Sequence, residues 1–306
     1  MEFALVVPTL NAGALVRDLF GAIRTQTARA VVDLLLDSTS DDQTPDLARA
    51  SGAQVLNIPR ADFDHGATRQ LALDHIGDVP IVVFLTQDAI PADANAFERL
   101  VAAFDDATVA AAYGRQLPRD GAGVAEAHAR LFNYPSESFV KSLADAARLG
   151  IKTPFLSNSF AAYRVSALRE AGGFPRRTLF GEDMYVAAKL LLAGHRIAYV
   201  ADATVWHSHS YSLGAEFRRY FDVGAFHARN PWIMQKFGRA GSEGRAYVRS
   251  ELGYAAKRAP AAIPGLLLRD ALKLLGMQVG KREALLPRRL KARLSMNPRF
   301  WDTEPA

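Results

Sequence analysis

Short apolar runs and amphipathic segments alternate through the first 115 residues, and this rhythm constrains the fold more than any other feature of the chain. The apolar runs predict strands, and the segments between them place apolar residues at helical spacing. Strands that are apolar on both faces and joined by helices are typical of a mainly parallel sheet covered on both sides. We therefore predict an α/β fold with strands at 3–7, 31–36, 53–58, 81–85 and 109–113, and helices at 14–25, 44–50, 66–76 and 93–104.

The rest of the chain divides into three parts. Residues 116–157 contain several prolines and glycines and predict an irregular, mobile connection. Residues 158–206 return to the earlier rhythm, and the pattern is helical from Leu213 onward. We therefore predict one domain over 1–212, with halves at 1–115 and 116–212, followed by a helical extension over 213–306.

The composition limits the chemistry that the chain can perform. It contains no cysteine, which excludes a disulfide framework, a thiolate metal site and a cysteine nucleophile. The chain begins without the basic region of a signal peptide, and none of its apolar stretches is as long as a membrane span. These observations favour a cytoplasmic protein.

The net charge of +5 is unevenly distributed. Residues 1–200 carry 19 Lys and Arg against 23 Asp and Glu, a net charge of −4, whereas residues 201–306 carry 18 against 9, a net charge of +9. A basic extension predicts an anionic partner. Membrane lipid, a lipid-linked diphosphate and nucleic acid all meet that description, but the extension has no recognised nucleic-acid-binding module, so we expect no nucleic acid partner.

Acidic residues follow two of the predicted strands. Asp37 follows the second strand and opens a polar segment, and Asp88 follows the very apolar fourth strand. Ligands of open α/β sheets gather at the carboxyl ends of strands. A carboxylate there can accept a hydrogen bond from a nucleobase, or hold a hard divalent cation that bridges diphosphate oxygens. The structural alternative for each acid is to cap a loop or the following helix.

Two further clusters and one arginine carry potential chemistry. Glu182 and Asp183 form an acidic pair at a predicted helix start, where a carboxylate either complements the helix dipole or acts as a general base. His207 and His209 follow a predicted strand at a spacing that puts both rings on one side of an extended chain. Neutral imidazole is a good ligand for Mn²⁺-like ions. Arg69 opens a predicted helix, where a guanidinium can reach a phosphate.

Several common nucleotide-binding and hydrolase motifs are missing from the sequence. There is no Walker A loop, no Gly-x-Gly-x-x-Gly after the first strand and no Gly-x-Ser-x-Gly elbow. A P-loop NTPase, a dinucleotide dehydrogenase and an α/β-hydrolase are therefore disfavoured. A nucleotidyltransferase and a non-catalytic carbohydrate- or lipid-binding scaffold stay open as alternatives from the residues alone.

In their order along the chain, these motifs resemble those of glycosyltransferase family 2, a family of inverting enzymes with the GT-A fold. The resemblance extends from residue 3 to about residue 230. The opening Val-Val-Pro-Thr-Leu-Asn is similar to the first strand and loop of that family, which line the nucleotide pocket. The resemblance therefore assigns a GT-A catalytic domain to 1–212, with a nucleotide-sugar half and an acceptor half, and donor-binding roles to Pro8, Thr9, Asn11, Asp37, Arg69, Gln87 and Asp88.

The resemblance also implies the catalytic and metal-binding residues. Thr86-Gln87-Asp88 stands where the family has Asp-x-Asp, and Asp88 matches its metal-binding last acid. Because Thr86 replaces the first acid, His207 gains importance as a second metal ligand, with His209 less favoured. Asp183 matches the usual catalytic base of the family. The acceptor side is assigned to Asn158, Glu182 and Trp206.

A narrower resemblance concerns the donor sugar. The segments 64–69, 85–89, 207–213 and 217–221 look like those of bacterial rhamnosyltransferases. This implies transfer from dTDP-L-rhamnose to a saccharide or lipid-linked acceptor during cell-surface polysaccharide synthesis, with Mg²⁺ or Mn²⁺ at the diphosphate. A UDP- or GDP-sugar donor is the alternative within the same family.

The extension contains an amphipathic pattern of its own. Five apolar residues fall at helical spacing and a basic segment follows them: Leu266, Leu267, Ala271, Leu274 and Leu275. An amphipathic helix with basic neighbours can lie on an anionic membrane surface. This predicts a peripheral protein on the inner face of the cytoplasmic membrane, which suits a polyprenyl-linked acceptor. The alternative is a helix that packs on the catalytic domain or on a second subunit in a homo-oligomer.

Overall fold

The computed structural model describes residues 1–238 and 243–302. Within them, a single mixed sheet has the strand order β3-β2-β1-β4-β8-β6-β9-β5, with β7 beside β9. Six strands share one direction, and β5, β7 and β8 run opposite to them. The strands are β1 (Phe3–Thr9), β2 (Val32–Asp37), β3 (Gln54–Asn57), β4 (Ile81–Leu85), β5 (Ile90–Pro91), β6 (Val109–Leu117), β7 (Phe139–Lys141), β8 (Phe160–Arg164) and β9 (Arg196–Trp206).

Helices cover the sheet and form the extension. Those of the sheet region are α1 (Ala14–Arg24), α2 (Thr44–Ala50), α3 (His65–His75), α4 (Ala96–Ala102), α5 (Val124–Asn133), α6 (Ala146–Leu149), α7 (Val165–Glu170) and α8 (Glu182–Leu192). Those of the extension are α9 (Leu213–Arg229), α10 (Pro231–Phe237), α11 (Glu243–Arg258), α12 (Ile263–Gly280), α13 (Arg288–Leu294) and α14 (Pro298–Asp302). The predicted α/β fold with a basic helical extension is confirmed, and the extension begins at the predicted Leu213.

Two hydrophobic cores lie on opposite faces of the sheet. In β1, Ala4 and Val6 belong to the core beneath α3 and α8, whereas Phe3, Leu5 and Val7 belong to the core beneath α1 and α4. Successive side chains of a strand point to opposite faces, so a strand between two helical layers must be apolar throughout. This is the physical reason why the apolar runs of the first half predict its strands correctly.

The irregular connection predicted for residues 116–157 is wrong for much of its length. The strand β6 continues to Leu117, and α5, β7 and α6 follow within the segment. The short strand β7 extends the sheet by pairing antiparallel with β9, with Val140 opposite Ala198. A strand of three residues gives too short a pattern to be recognised in the sequence, and its pairing with β9 defines it. Residue 115, the predicted border between the two halves, lies inside β6, while the division into domains stays a prediction.

The two longest helices of the extension, α9 and α12, pack against each other through close contacts. A Cβ atom at Gly276 would lie 2.4 Å from the Phe217 carbonyl oxygen, and one at Gly280 would lie 2.0 Å from that of Phe221. Helices α9 and α12 therefore touch backbone to backbone. The predicted range 213–306 also includes 239–242 and 303–306, which lie outside the described residues.

The Trp301 side chain anchors the last described helix of the extension. The Trp301 side chain in α14 is fully buried beside Phe221 and Leu179. It ties the end of the described chain to the loop before α8.

Within 1–238 and 243–302, none of the helices combines the length and apolarity that a membrane crossing requires.

Candidate active site

The loops after β1, β2, β4 and β9 meet at one edge of the sheet and carry most of the predicted site residues. The first three strands are parallel neighbours, so their carboxyl ends lie together. The short strand β5 pairs antiparallel with the end of β9, with Ile90 opposite Trp206. This pairing brings the loop that contains Asp88 beside His207, although the two residues are far apart in the chain.

Asp88, His207 and His209 form a cluster with the geometry of a metal site. One ligand atom from each lies within 4.8 Å of the other two. The His207 Nε2 atom is 3.4 Å from Asp88 Oδ1, and the His209 Nδ1 atom is 3.5 Å from Asp88 Oδ2. One carboxylate and two imidazoles are a ligand set suited to divalent transition ions. His209, the less favoured ligand in the sequence, lies as close to the acid as His207 does.

The charge states of the three residues fit metal binding. Burial acts to raise the pKa of Asp88, but the hydrogen bond and charge of His207 outweigh it and hold that pKa well below its usual range. Burial lowers the pKa of His207, and burial together with His207 lowers the pKa of His209 to about 4. At neutral pH the cluster is therefore an ionised carboxylate with two neutral rings, which are the forms that bind metals.

His207 is held in the tautomer that a metal ligand needs. Its Nδ1 atom lies 2.8 Å from Gln116 Oε1. Because an amide oxygen only accepts, Nδ1 carries the proton and donates this hydrogen bond. Its backbone N–H extends the pairing of β9 with β6 by donating to the Leu117 carbonyl at 2.9 Å. The opposite ring nitrogen, Nε2, is buried and faces Asp88 Oδ1 at 3.4 Å, with no hydrogen bond among the described residues beyond that close contact. A buried, unpartnered nitrogen that faces a carboxylate fits a cation between them.

Glu182 and Asp183 begin α8, directly after Gly181. Gly181 has φ 73°, a left-handed conformation that favours glycine. Asp183 accepts hydrogen bonds from the backbone N–H groups of Met184 at 2.8 Å and Asn158 at 3.3 Å. Burial and the charge of Glu182 raise the pKa of Asp183 to about 7. A carboxylate with its pKa near neutrality can accept a proton from a hydroxyl and release it afterwards.

Glu182 is occupied by partners within the protein. Its Oε1 atom is 3.1 Å from Arg69 Nη1 and 3.0 Å from Asn158 Nδ2. Asn158 in turn accepts a hydrogen bond from the Tyr163 hydroxyl at 2.6 Å. Burial acts to raise the pKa of Glu182, and Arg69 and His65 together overcome it and lower that pKa. The three predicted ligand contacts Arg69, Asn158 and Glu182 are thus buried and bonded to one another, behind Asp183.

Asp37 also has protein donors around its carboxylate. It is 1% exposed and accepts hydrogen bonds from the Thr9 hydroxyl at 3.0 Å, the Ser40 N–H at 2.8 Å and the Ser40 hydroxyl at 2.6 Å. These bonds join the ends of β1 and β2 and shape the loop that follows β2. The predicted contact of Asp37 with a nucleobase stays a prediction, since the carboxylate is directed at the loop.

The remaining predicted donor residues lie in the same group of loops. Gln87 donates to the Leu10 carbonyl at 3.2 Å and accepts from the Leu10 N–H at 2.8 Å. Asn11 has φ 47° and accepts from the Asp41 N–H at 2.8 Å. Pro8 precedes them in β1. The Trp206 side chain, predicted to face the acceptor, is 39% exposed beside the metal cluster.

Gln116 is the residue that the sequence analysis missed. Its Oε1 atom accepts from His207 and from Arg130 Nη1 at 2.7 Å, and its Nε2 donates to the Ser157 hydroxyl at 2.9 Å. It therefore connects the metal cluster to the segment of Ser157 and Asn158. The backbone N–H of Asn158 in turn donates to Asp183. Gln116 lies inside β6 rather than directly after a strand, so the signal that identifies Asp88 does not apply to it.

The fold and this arrangement of residues define a glycosyltransferase of the GT-A class. A sequence profile for glycosyl transferase family group 2 matches residues 81–220. The O-antigen chain rhamnosyltransferase RfbN of Salmonella typhimurium (strain LT2) is 46% identical over 303 residues, which cover 99% of this chain and 96% of the relative. The O-antigen chain rhamnosyltransferase WbaN of Salmonella anatum is 46% identical over 302 residues, which cover 98% and 96%. The chain belongs to glycosyltransferase family 2.

Solved structures support the fold. The mannosyltransferase PcManGT from Pyrobaculum calidifontis, in complex with GDP-Man and Mn²⁺, has a TM-score of 0.58 at 19% identity and covers 99% of this chain and 88% of its own. S. aureus TarS 1–349 has a TM-score of 0.54 at 16% identity and covers 93% and 91%. Membership of the family makes the chain an enzyme, and the nucleotidyltransferase and scaffold alternatives are set aside.

Proposed function

We propose that the protein transfers L-rhamnose from dTDP-L-rhamnose to a hydroxyl of a saccharide or polyprenyl-linked acceptor, as a step in bacterial cell-surface polysaccharide synthesis. The observation that carries this proposal is the 46% identity, over nearly the whole chain, to two proteins named as O-antigen chain rhamnosyltransferases. The metal-site cluster Asp88, His207 and His209 is the local feature that supports it.

Asp183 is the general base in this proposal. The acceptor oxygen forms a bond to the anomeric carbon while the bond from that carbon to the diphosphate oxygen breaks, so the configuration inverts. Asp183 takes the proton of the acceptor hydroxyl in the same step, and its raised pKa supports that role. The buried bonds of Glu182 to Arg69 and Asn158 position the base, because they hold the first turn of α8.

Asp88, His207 and His209 would hold the divalent ion, Mg²⁺ or Mn²⁺. Such an ion, when bound, offsets the negative charge that develops on the leaving diphosphate. Two imidazoles in the ligand set favour Mn²⁺ over Mg²⁺, since Mg²⁺ prefers oxygen ligands. Gln116 orients His207 through the proton on Nδ1.

The nucleotide is assigned to the loops after β1, β2 and β4. Asp37 shapes the loop that contacts the nucleobase, since its carboxylate already accepts bonds from Thr9 and Ser40. Pro8, Asn11 and Gln87 border the same loops and complete the proposed donor pocket. The acceptor enters from the opposite side of the metal cluster, where the Trp206 side chain is exposed.

The experiment that tests this function measures nucleoside diphosphate release from a panel of nucleotide sugars, with Mg²⁺, Mn²⁺ or EDTA, in the presence of a lipid-linked acceptor fraction. Metal-dependent release of dTDP from dTDP-L-rhamnose, and from no other donor, is the expected result. Release of UDP or GDP instead would keep the enzyme class and overturn the rhamnose assignment.

Helix α12 supports a location on the cytoplasmic membrane surface, on its inner face. Its polar face packs on α9, while its leucines point outward, with Leu267, Leu274 and Leu275 exposed to 47%, 60% and 53%. An outward apolar stripe is typical of a helix with an apolar partner. Basic residues lie exposed at both ends of the helix, and these match anionic lipid headgroups: Lys257, Arg258, Lys281 and Arg282.

Co-sedimentation with vesicles of neutral and anionic phospholipid tests the membrane location. The full chain is expected to pellet with anionic vesicles, and the double variant Leu267→Gln/Leu274→Gln is expected to stay in the supernatant. Leu192→Gln is the matched control, because Leu192 is an exposed leucine of the catalytic region. Equal pelleting of all three forms overturns the proposal, and a variant that changes oligomeric state instead would assign the stripe to a second copy of the chain.

A further inference from the structure

A cleft of about 470 Å³ lies beside the metal cluster, between that cluster and the inward face of α12. At one end it is lined by His209 and Tyr211, next to Asp88. At the other end it is lined by Gly265 and Leu266 of α12, immediately before the exposed Leu267. Helices α5, α9 and α12 form its walls. The cleft is lined by helices of the extension and by α5, and none of Pro8, Asn11 and Gln87 lines it.

Four cationic side chains line this cleft, and two of them are already neutralised. Arg269 lies 3.2 Å from Glu216 Oε1, and Lys273 lies 3.1 Å from Asp270 Oδ1 and 3.6 Å from Glu216 Oε2. These ion pairs hold α12 against α9. They leave little positive charge for a ligand.

The other two cations, Arg130 and Arg219, have no carboxylate partner among residues 1–238 and 243–302. Arg130 donates from Nη1 to Gln116, while its buried Nε atom lacks a hydrogen-bond partner in that part of the chain. The Arg219 guanidinium lies over the rings of Phe180 and Tyr211, at 5.1 and 5.6 Å from their centroids. Both cations line the cleft together with His209. They extend from α5 and α9, on opposite walls of the cleft.

We propose that Arg130 and Arg219 bind the diphosphate of a lipid-linked acceptor. Two guanidinium groups without acidic partners suit an anion with several phosphate oxygens. The cleft places that anion beside His209 of the metal cluster and apart from Pro8, Asn11 and Gln87, which are assigned to the donor. This inference rests on the proposed function, since it names the part of the acceptor that the same site recognises.

The donor also contains a diphosphate, so the test must separate the two sources. We would titrate the full chain with farnesyl diphosphate in EDTA by calorimetry, and separately with dTDP in Mn²⁺. The variant is Arg219→Gln, and the matched control is Arg218→Gln, because Arg218 is an exposed neighbour on α9 outside the cleft. Thermal unfolding of both variants checks that they fold.

The expected result is metal-free binding of farnesyl diphosphate by the wild type, weakened roughly 10- to 100-fold in Arg219→Gln and unchanged in Arg218→Gln. Binding of dTDP with Mn²⁺ is expected to stay within about twofold in both variants, on the scale of a lost surface charge. A selective loss of dTDP binding in Arg219→Gln would assign the arginine to the donor and overturn the proposal. Absence of metal-free binding by the wild type would overturn it as well.

This readout is independent of rhamnose transfer. If the donor panel shows no turnover of dTDP-L-rhamnose while farnesyl diphosphate binds in an Arg219-dependent manner, the rhamnose assignment fails and the diphosphate site stands. If dTDP-L-rhamnose is turned over while farnesyl diphosphate binding is indifferent to Arg219, the site fails and the proposed function stands.

Discussion

Asp88 and Asp183 carry the same chemical group at two neighbouring parts of one site, and their surroundings shift their pKa values in opposite directions. Asp88 faces two imidazoles, which overcome the effect of burial and depress its pKa. Asp183 faces Glu182, whose negative charge adds to burial and raises its pKa. Under the proposed roles, the groups around each carboxylate suit Asp88 to metal binding and Asp183 to proton transfer.

The two regions also differ in how they are supported. The metal cluster depends on Gln116, which orients His207 from a neighbouring strand. The acidic pair depends on Arg69 of α3, which lowers the pKa of Glu182 and keeps it ionised, so that the negative charge of Glu182 adds to burial in raising the pKa of Asp183. In both regions, a residue behind the proposed functional group sets its protonation: Gln116 does so for His207, and Glu182 with Arg69 does so for Asp183.

Removing the base is the largest expected perturbation. Asp183→Asn keeps the shape of the side chain but cannot take a proton, so turnover should fall roughly 10²- to 10⁴-fold. Binding of dTDP with Mn²⁺, measured by calorimetry, should be unchanged, because the metal cluster is intact. Turnover near the wild-type level would remove Asp183 from the role of base.

Removing the acid of the metal cluster should affect binding as well as turnover. Asp88→Asn replaces the charged ligand with a neutral one, and turnover should fall roughly 10²- to 10³-fold as charge stabilisation is lost. Unlike Asp183→Asn, it should also weaken the binding of Mn²⁺ and of dTDP. Unaltered metal-dependent calorimetry would contradict the assignment of Asp88.

Removing the support of His207 should have a smaller effect. Gln116→Leu deletes the acceptor that holds the proton on Nδ1, and metal affinity should fall roughly 10- to 100-fold, as is typical of residues behind a metal ligand. Turnover should recover at high Mn²⁺ concentration. A loss that excess metal does not restore would indicate that Gln116 acts elsewhere, for example through Ser157.

The pH dependence sharpens the comparison further. The base must be ionised to work, so kcat/KM should fall about tenfold per pH unit below the pKa of Asp183, which lies at about 7. The pKa of Asp88 is depressed, so that carboxylate stays ionised across the same range. Metal-dependent dTDP binding should therefore change less than kcat/KM between pH 7 and pH 6. Parallel losses of both quantities would show that the two carboxylates are not separated.

The sequence predicts the sheet region well because its signals are local. A strand covered on both sides must be apolar throughout, and a polar residue directly after it marks the edge where ligands bind. These rules identify β1, β2, β4 and the residues Asp37 and Asp88. They fail between residues 116 and 157, where β7 is too short to be recognised in the sequence and is defined by its pairing with β9.

The sequence by itself determined the class of fold, the basic helical extension and the residue types that carry the chemistry. Only the tertiary structure decided which of them meet, because those contacts depend on strand order: His207 meets Gln116 across 91 positions, and Arg69 is taken up by Glu182. The tertiary structure also decided the orientation of α12. Gly276 and Gly280 let the glycine-bearing face of this helix approach α9 closely, and the leucines on the other face are left exposed. Periodicity shows that a helix has two faces, whereas packing decides which one is buried.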